Sequence, residues 1–414
     1  LIFLYNIFIS LYTLFVRTAS LWNSKAKQWV EGRKSLWQEL DKQNFSKESI
    51  VWIHASSAGE FEQAKPVIEA LKKSYPVYKI LVSFFSPSGY IAAKNYKGAD
   101  YTYYLPVDQL SNAKRFIKNI KPRLVIFVKY DFWYHHLHTI HEMKIPLLLI
   151  SAVFRKEQIF FKWYGGLYHK MLQFFNFIFV QDRLSYAQVK GIGVNNCMIS
   201  GDTRFDRVTE IASNFTELPF IKEFIGTNNV LIAGSTWPED EKLLKNSIYE
   251  FSELKLIIAP HEINKQHIHQ IQKDFPTAIL YSQIKEQTIS ENKILIIDNV
   301  GMLAKLYYYA TITYVGGGFT KDGIHNILEA AVYGKPVLFG PNYKKYREAT
   351  ELINYGGAFS ASTSQELKIY IKNFLSGGET YRNAGRALRE YIDQNKGASG
   401  KIINYIQEKR LLTN

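Results

Sequence analysis

Residues Leu1–Val16 read LIFLYNIFISLYTLFV, an apolar run without a charge, broken only by Asn6, Ser10 and Thr13. As a helix the run is about 24 Å long, short of the roughly 30 Å hydrocarbon core of a bilayer. Continuing to Trp22 makes up the length if Arg17 bends its charge toward the surface. Arg17, Lys25, Lys27, Arg33 and Lys34 follow. Residues 1–22 are therefore expected to anchor the chain to a membrane, with the remainder on the cytoplasmic side, where basic flanks collect. The first helix of a folded domain has the same pattern, so the run alone leaves both open.

Beyond the anchor, short runs apolar on both faces alternate with stretches of helical period. The expected strands are Ile50–Ala55, Ile80–Phe84, Tyr101–Leu105, Leu124–Phe127, Leu147–Ile150 and Phe177–Val180. A second set follows a polar stretch at residues 213–229: Val230–Ala233, Leu256–Ala259, Ala278–Tyr281, Ile294–Ile297, Ile312–Val315 and Pro336–Phe339. Strands of this kind belong in parallel sheets covered by helices. The chain is expected to be α/β, with two doubly wound Rossmann-like domains at residues 23–212 and 213–414 facing a cleft. Ligands in such folds bind beyond the carboxyl ends of the strands.

Composition narrows the class. At 47% hydrophobic and 21% charged residues the chain is an ordinary globular one. A single cysteine, Cys197, excludes an intramolecular disulfide and a cysteine-based zinc cluster. The charge is uneven: residues 1–210 hold 28 Lys and Arg against 16 Asp and Glu, and residues 211–414 hold 23 against 21. Such an excess fits an anionic partner. The apolar run favours anionic lipid over nucleic acid, for which no motif appears.

Three loops carry candidate chemistry. His54-Ala55-Ser56-Ser57-Ala58-Gly59-Glu60 follows the first strand. Its small residues leave room for a ligand, and Glu60 reads either as a general base or as a carboxylate favoured by a helix start. The dipole of that helix should keep Glu60 ionised. Pro66 fits a helix that starts near Gln63 or is kinked there. Ser86-Pro87-Ser88-Gly89 reads as a phosphate- or sugar-contacting loop, or as a simple turn. Gly316-Gly317-Gly318 opens a stretch through Asp322-Gly323-Ile324-His325-Asn326-Ile327-Leu328-Glu329. There the glycines would let backbone approach a phosphate, Asn326 would cap a helix, and Glu329 would reach a ribose diol. Ile324-His325 stands where a P-loop needs Lys-Ser/Thr, so this is not an NTPase loop. Histidines 135, 136, 138 and 141 stand at no recognised metal-ligand spacing, and no metal is expected.

In order along the chain, these segments resemble the Kdo (3-deoxy-D-manno-octulosonic acid) transferases of lipopolysaccharide synthesis, GT-B-fold glycosyltransferases. HASSAGE is similar to the family's His-Ala-x-Ser-x-Gly-Glu, and the resemblance implies that Glu60 is the catalytic base. Tyr104-Leu105-Pro106-Val107-Asp108 resembles its Leu-Pro-x-Asp segment, and Gly201-Asp202-Thr203-Arg204-Phe205-Asp206 its Gly-Asn-x-Lys-Phe-Asp. The stretch from Gly316 to Tyr343 resembles the nucleotide-binding Gly-Gly-Ser…Gly-Gly-His-Asn-x-x-Glu. Lys129-Tyr130-Asp131-Phe132-Trp133 replaces Glu-Thr-Glu-x-Trp, Arg204 replaces Lys, and Pro260-His261 replaces Pro-Arg.

The resemblance implies an inverting transfer of Kdo from CMP-Kdo to lipid IVA or a related phosphorylated lipid A precursor. It implies no metal or other cofactor, a place on the cytoplasmic face of the inner membrane among anionic lipids, and transition-state roles for Asp131 and Arg204. CMP contacts are implied for Pro260, His261, Gly301, Met302, Leu303, Asn326, Ile327, Leu328 and Glu329. The alternatives are another GT-B nucleotide-sugar enzyme, an epimerase or a lipid-sugar transferase, and a non-enzymatic membrane-bound binding protein.

Overall fold

The computed structural model describes residues 1–129, 131–284 and 289–413. It divides into two units, Leu1–Arg207 with Lys396–Asn414, and Val208–Asn395.

In the first unit seven strands form one sheet: β1 Ile50–His54, β2 Lys79–Phe84, β3 Tyr101–Tyr104, β4 Leu124–Val128, β5 Leu147–Ala152, β6 Phe177–Val180 and β7 Cys197–Ile199. Their order is β3-β2-β1-β4-β5-β6-β7, every pair parallel. Alternation along β1 feeds two cores: Ile50 and Trp52 pack on one face of the sheet, Val51 and Ile53 on the other. The chain steps outward from β1 through β2 to β3, then returns to lay β4 on the other side of β1. That reversal leaves a crevice beyond His54 and Val128.

In the second unit the strands are β8 Asn229–Thr236, β9 Leu254–Pro260, β10 Ile279–Leu280, β11 Ile294–Ile296, β12 Ile312–Val315, β13 Val337–Phe339 and β14 Ala358–Ser360. Their order is β10-β11-β9-β8-β12-β13-β14, again all parallel. Here the switch falls between β8 and β12.

The sequence reading needs correction at four places. It omits β7 and β14, three residues each at sheet edges. It assigns residues 396–414 to the second domain, whereas Ile402, Ile403, Ile406 and Leu412 bury against the first sheet. Asp206 fixes that return by accepting from the backbone N–H groups of Gly397 and Ser399 at the start of the last helix, Ala398–Glu408. Finally, the helix after β1 begins at Ala58, not near Gln63, and Pro66 lies inside it. The carbonyl of Gln63 accepts Thr203 Oγ1 at 2.7 Å.

Ile2–Ala19 is a helix long and apolar enough to cross a membrane. It nevertheless lies against the first unit along one side, burying Tyr5, Ile9 and Val16. Tyr5 Oη donates to Asp108 at 2.5 Å, and Asn6 Oδ1 meets His135 Nε2 at 2.6 Å. The opposite side, including Phe8, Leu11, Leu14 and Phe15, is exposed.

Candidate functional site

In the first unit the crevice holds Glu60 and Asp131. Glu60 lies in the first turn of the helix Ala58–Ser74 and folds back, so that Oε2 accepts the N–H of Ser56 at 2.5 Å. Its carboxyl is pushed up to about 7, first by burial and next by the charge of Asp131; the N–H groups of Ser56 and Ser57 and the charge of Lys129 oppose the rise. The expectation that the dipole of the helix keeps Glu60 ionised is thus corrected: near neutral pH the carboxyl is divided between its two forms. Desolvation and a like charge outweigh the dipole.

Asp131 is held by residues the sequence reading gave no role. His54 Nε2 and Trp133 Nε1 both bond its Oδ2, at 2.7 and 2.8 Å. His54 Nδ1 meets Ser83 Oγ at 2.8 Å, and that oxygen also accepts Trp52 Nε1 at 2.7 Å. With Ser83 donating to Nδ1, the Nε2 proton of His54 faces Asp131. Lys129 occupies the left-handed region at φ 62°, where the chain turns out of β4. Tyr130 of the same segment lies outside the described residues.

Arg204 stands at the start of the helix Thr203–Ser213, and Thr203 ties that helix to the one carrying Glu60. Its Nε and Nη2 donate to Asp202 Oδ2 at 2.9 and 2.7 Å. Asp108 caps the helix Tyr134–Glu142 through the N–H groups of His135 and His136, each at 2.9 Å, and bonds the His136 ring. Ser86 likewise caps the helix Pro87–Ala93.

In the second unit the expected donor residues gather at the carboxyl ends of the strands. Pro260 ends β9 in register with Thr236 of β8. The N–H of His261 donates to the carbonyl of Thr236 at 3.0 Å, closing the corner between the two strand ends. Beside it stands Trp237, which the sequence reading missed. Trp237 Nε1–H donates to His325 Nε2 at 3.0 Å with the two rings within 6° of coplanar. The imidazole of His261 lies across both, 4.9 Å from Trp237 and 4.2 Å from His325. Burial and the neighbouring His261 push His325 down to about 4. It is therefore a neutral ring at pH 7, and because Nε2 accepts from Trp237, the proton sits on Nδ1. Among the described residues Nδ1 has no hydrogen-bond partner. Asp240 braces this corner, accepting the N–H groups of Trp237 and Gly317 at 3.0 and 2.8 Å and the Tyr314 hydroxyl at 2.7 Å. A Ser-Thr-Trp-Pro-Glu-Asp turn directly after a strand was the available signal for it.

The glycines are also required by the packing of the strand ends. A Cβ on Gly316 would meet the Ser235 carbonyl at 2.3 Å, and one on Gly318 the backbone of Gly340 at 2.5 Å. They admit the protein's own strand ends. Asn326 is the expected cap of the following helix, but Ile327 takes the N-cap position. The helix Leu328–Ala331 has four residues and starts after Ile327. Asn326 Oδ1 accepts the N–H of Leu328 at 3.3 Å, and its Nδ2 donates to Glu329 Oε1 at 2.9 Å. Gly301 takes φ 96°, and the following Leu303 packs where a Cβ on Gly234 would be, at 2.4 Å. Residues 301–303 thus reach the end of β8.

Two parallel sheets with this strand order, each with polar side chains at its switch point, define a GT-B-type glycosyltransferase fold. Solved structures agree in fold: a UDP-N-acetylglucosamine 2-epimerase from Neisseria meningitidis superposes with a TM-score of 0.61 at 16% identity, covering 87% of this chain and 100% of the other. Residues 28–207 match the 3-deoxy-D-manno-octulosonic-acid transferase (kdotransferase) family model. A 3-deoxy-D-manno-octulosonic acid transferase of Rickettsia felis is 30% identical over 373 residues, 83% of this chain and 78% of the relative. One from Aquifex aeolicus is 28% identical, over 82% of this chain and 91% of the relative. The chain belongs to the Kdo transferase family and is a glycosyltransferase of lipopolysaccharide biosynthesis.

Proposed function

We propose that the enzyme transfers Kdo from CMP-Kdo to a hydroxyl of lipid IVA or a closely related phosphorylated lipid A precursor, with inversion. The observation that carries this reading is the pairing of Glu60, raised to about 7, with Asp131 in the crevice of the first sheet. A sugar hydroxyl is a very weak acid and attacks well only if its proton leaves as the new bond forms. A carboxylate poised near the working pH suits that task. Glu60 takes the proton, the freed oxygen attacks the anomeric carbon of Kdo, and the bond to the CMP phosphate breaks in the same displacement. Asp131 keeps Glu60 basic and faces the positive charge that builds on the sugar ring. Arg204 meets the charge growing on the departing phosphate.

On the second unit, Glu329 and Asn326 serve the ribose, and Pro260, His261 and residues 301–303 and 327–328 the remainder of CMP. The Nδ1–H of His325 offers a neutral donor to an oxygen of the donor substrate. The reaction so drawn needs no cofactor. The first unit holds 32 Lys and Arg against 16 Asp and Glu, a net of +16, and the second 19 against 21. That excess and the apolar helix Ile2–Ala19 support a place at the cytoplasmic face of the inner membrane. Purified protein incubated with CMP-Kdo and lipid IVA tests the reading directly. Mass spectrometry should find the acceptor heavier by Kdo, and an unchanged acceptor would refute it.

A further inference from the structure

Beside the helix Ile2–Ala19 the first unit has a cavity of about 510 Å³. Its walls are largely apolar: Val16 from that helix, Ala26 and Trp29 from the helix Ser24–Glu31, and Phe85, Pro87 and Ile91 from the turn after β2 and the helix it starts. Tyr12, Trp29 and Phe85 pack around it, with ring centroids 5.7–6.3 Å apart. Its other polar lining residues are Lys25, Gln28, Ser86 and Ser88. Lys25 has no ion-pair partner among the described residues.

The wall is braced from behind. The guanidinium of Arg33 lies 3.9 Å from the ring centroid of Trp29 and donates to the backbone carbonyls of Phe85 at 2.7 Å and Leu105 at 3.0 Å. Two wall residues of the cavity, Phe85 and Ser86, are joined to the crevice residues by short connections. Phe85 packs on Trp133 at 4.4 Å, and Trp133 bonds Asp131. The N–H of Ser86 donates to the carbonyl of Ser56 at 2.8 Å, and Ser56 bonds Glu60. From the helix Ile2–Ala19, Tyr12 and Val16 line the cavity, and their chain neighbours Leu11 and Phe15 are exposed.

We propose that this groove takes an acyl chain of the acceptor lipid. The proposal rests on the acceptor reading above and adds to it the place where the acceptor's apolar part is held. A chain lying there would leave the exposed helix side at one end and bring its head group beside Glu60 at the other. Its apolar length would face Val16, Ala26, Phe85 and Ile91, and its phosphate would meet the unpaired ammonium of Lys25. The charge complement selects an anionic amphiphile over a neutral one, and the groove's volume selects one chain over a folded peptide. Specificity for an acylated acceptor then comes from a pocket of the catalytic unit and not from membrane residence alone.

The test is a comparison of acceptors. Ala26→Trp fills the groove, and Ile91→Asp places a charge in its wall at a position exposed enough to spare the fold. With lipid IVA, each variant should lose about tenfold in kcat/KM, mostly through KM, the loss expected when two methylene groups are displaced into water. With the deacylated phosphorylated disaccharide as acceptor, each should match the parent. Equal losses on both acceptors, or no loss on lipid IVA, would overturn the proposal. A lipid IVA analogue with a photoreactive diazirine in its acyl chain gives a second readout that needs no turnover. Crosslinks to peptides containing Ala26 or Ile91 support the groove, and crosslinks confined to Ile2–Phe15 overturn it. If lipid IVA receives no Kdo at all, the acceptor reading fails while the crosslinking result still decides the groove.

Discussion

Replacing Glu60 by Gln should slow the reaction sharply and, above about pH 7, stabilise the protein. The folded protein holds this carboxyl at about 7 against an ordinary value of 4.5. Below the lower value both folded and unfolded chains are protonated, and the group favours neither. Between the two the unfolded chain ionises first, so stability falls as pH rises. Above about 7 the cost levels off at about 3 kcal/mol. Gln removes that cost but weakens the bonds from Ser56 and Ser57 by about 1 kcal/mol, because a neutral acceptor replaces a charged one. A net gain of about 2 kcal/mol remains, worth about 4–8 °C in Tm for a unit of this size. Scanning calorimetry at pH 8 and pH 4.5 should show the gain at the first and none at the second. The same variant should lose at least about 10²-fold in kcat while binding CMP normally. In the parent, kcat/KM should rise through about pH 7, and Asp131→Asn should move that rise to lower pH by removing the like charge. A near-parental rate for Glu60→Gln, or equal Tm gains at both pH values, would refute the reasoning.

Arg204→Ala should lower kcat far more than it raises the KM for the donor; steady-state kinetics showing the reverse would make it a ground-state binding residue. Glu329→Ala should weaken CMP binding by about 1.5–3 kcal/mol if charge-assisted bonds to the ribose are lost, and unchanged affinity by calorimetry would dismiss that role. His325→Asn keeps an N–H near the Nδ1 position and should retain more activity than His325→Gln, which keeps only the partner of Trp237. The reverse order would show that the bond to Trp237, not the outward proton, is what matters.

The architecture was legible because both sheets are built from runs apolar on two faces, such as Leu124–Val128 and Ile312–Val315. What escaped was whatever depends on strand order. His54 and Asp131 lie 77 residues apart and Trp237 and His325 lie 88 apart. Each pair meets only because the chain reverses beside the first strand of its sheet, setting β4 against β1 and β12 against β8. Local pattern cannot choose that neighbour. The last helix escaped for a related reason: Ile402, Ile403 and Ile406 mark an apolar side, but nothing in their spacing names the sheet that covers it. The pKa of Glu60 was misjudged because a helix start is visible in sequence and burial is not.

The net charge of the first unit and the raised pKa of Glu60 point in opposite directions, and the distance over which each acts reconciles them. A net of +16 would favour ionised carboxylates if it were felt at Glu60. At physiological salt the field of exposed lysines decays over about 8 Å, whereas the interaction of the buried Glu60 with the half-buried Asp131 is screened far less. The surface charge therefore governs encounter with an anionic membrane or a phosphorylated acceptor, and the local pair governs proton transfer. Raising the salt concentration should separate the two. The KM for lipid IVA presented in anionic vesicles should climb steeply between low and high salt, while the acid limb of kcat stays near pH 7. If the limb moves by as much as the KM does, the basic surface sets the base after all, and the pairing with Asp131 is incidental.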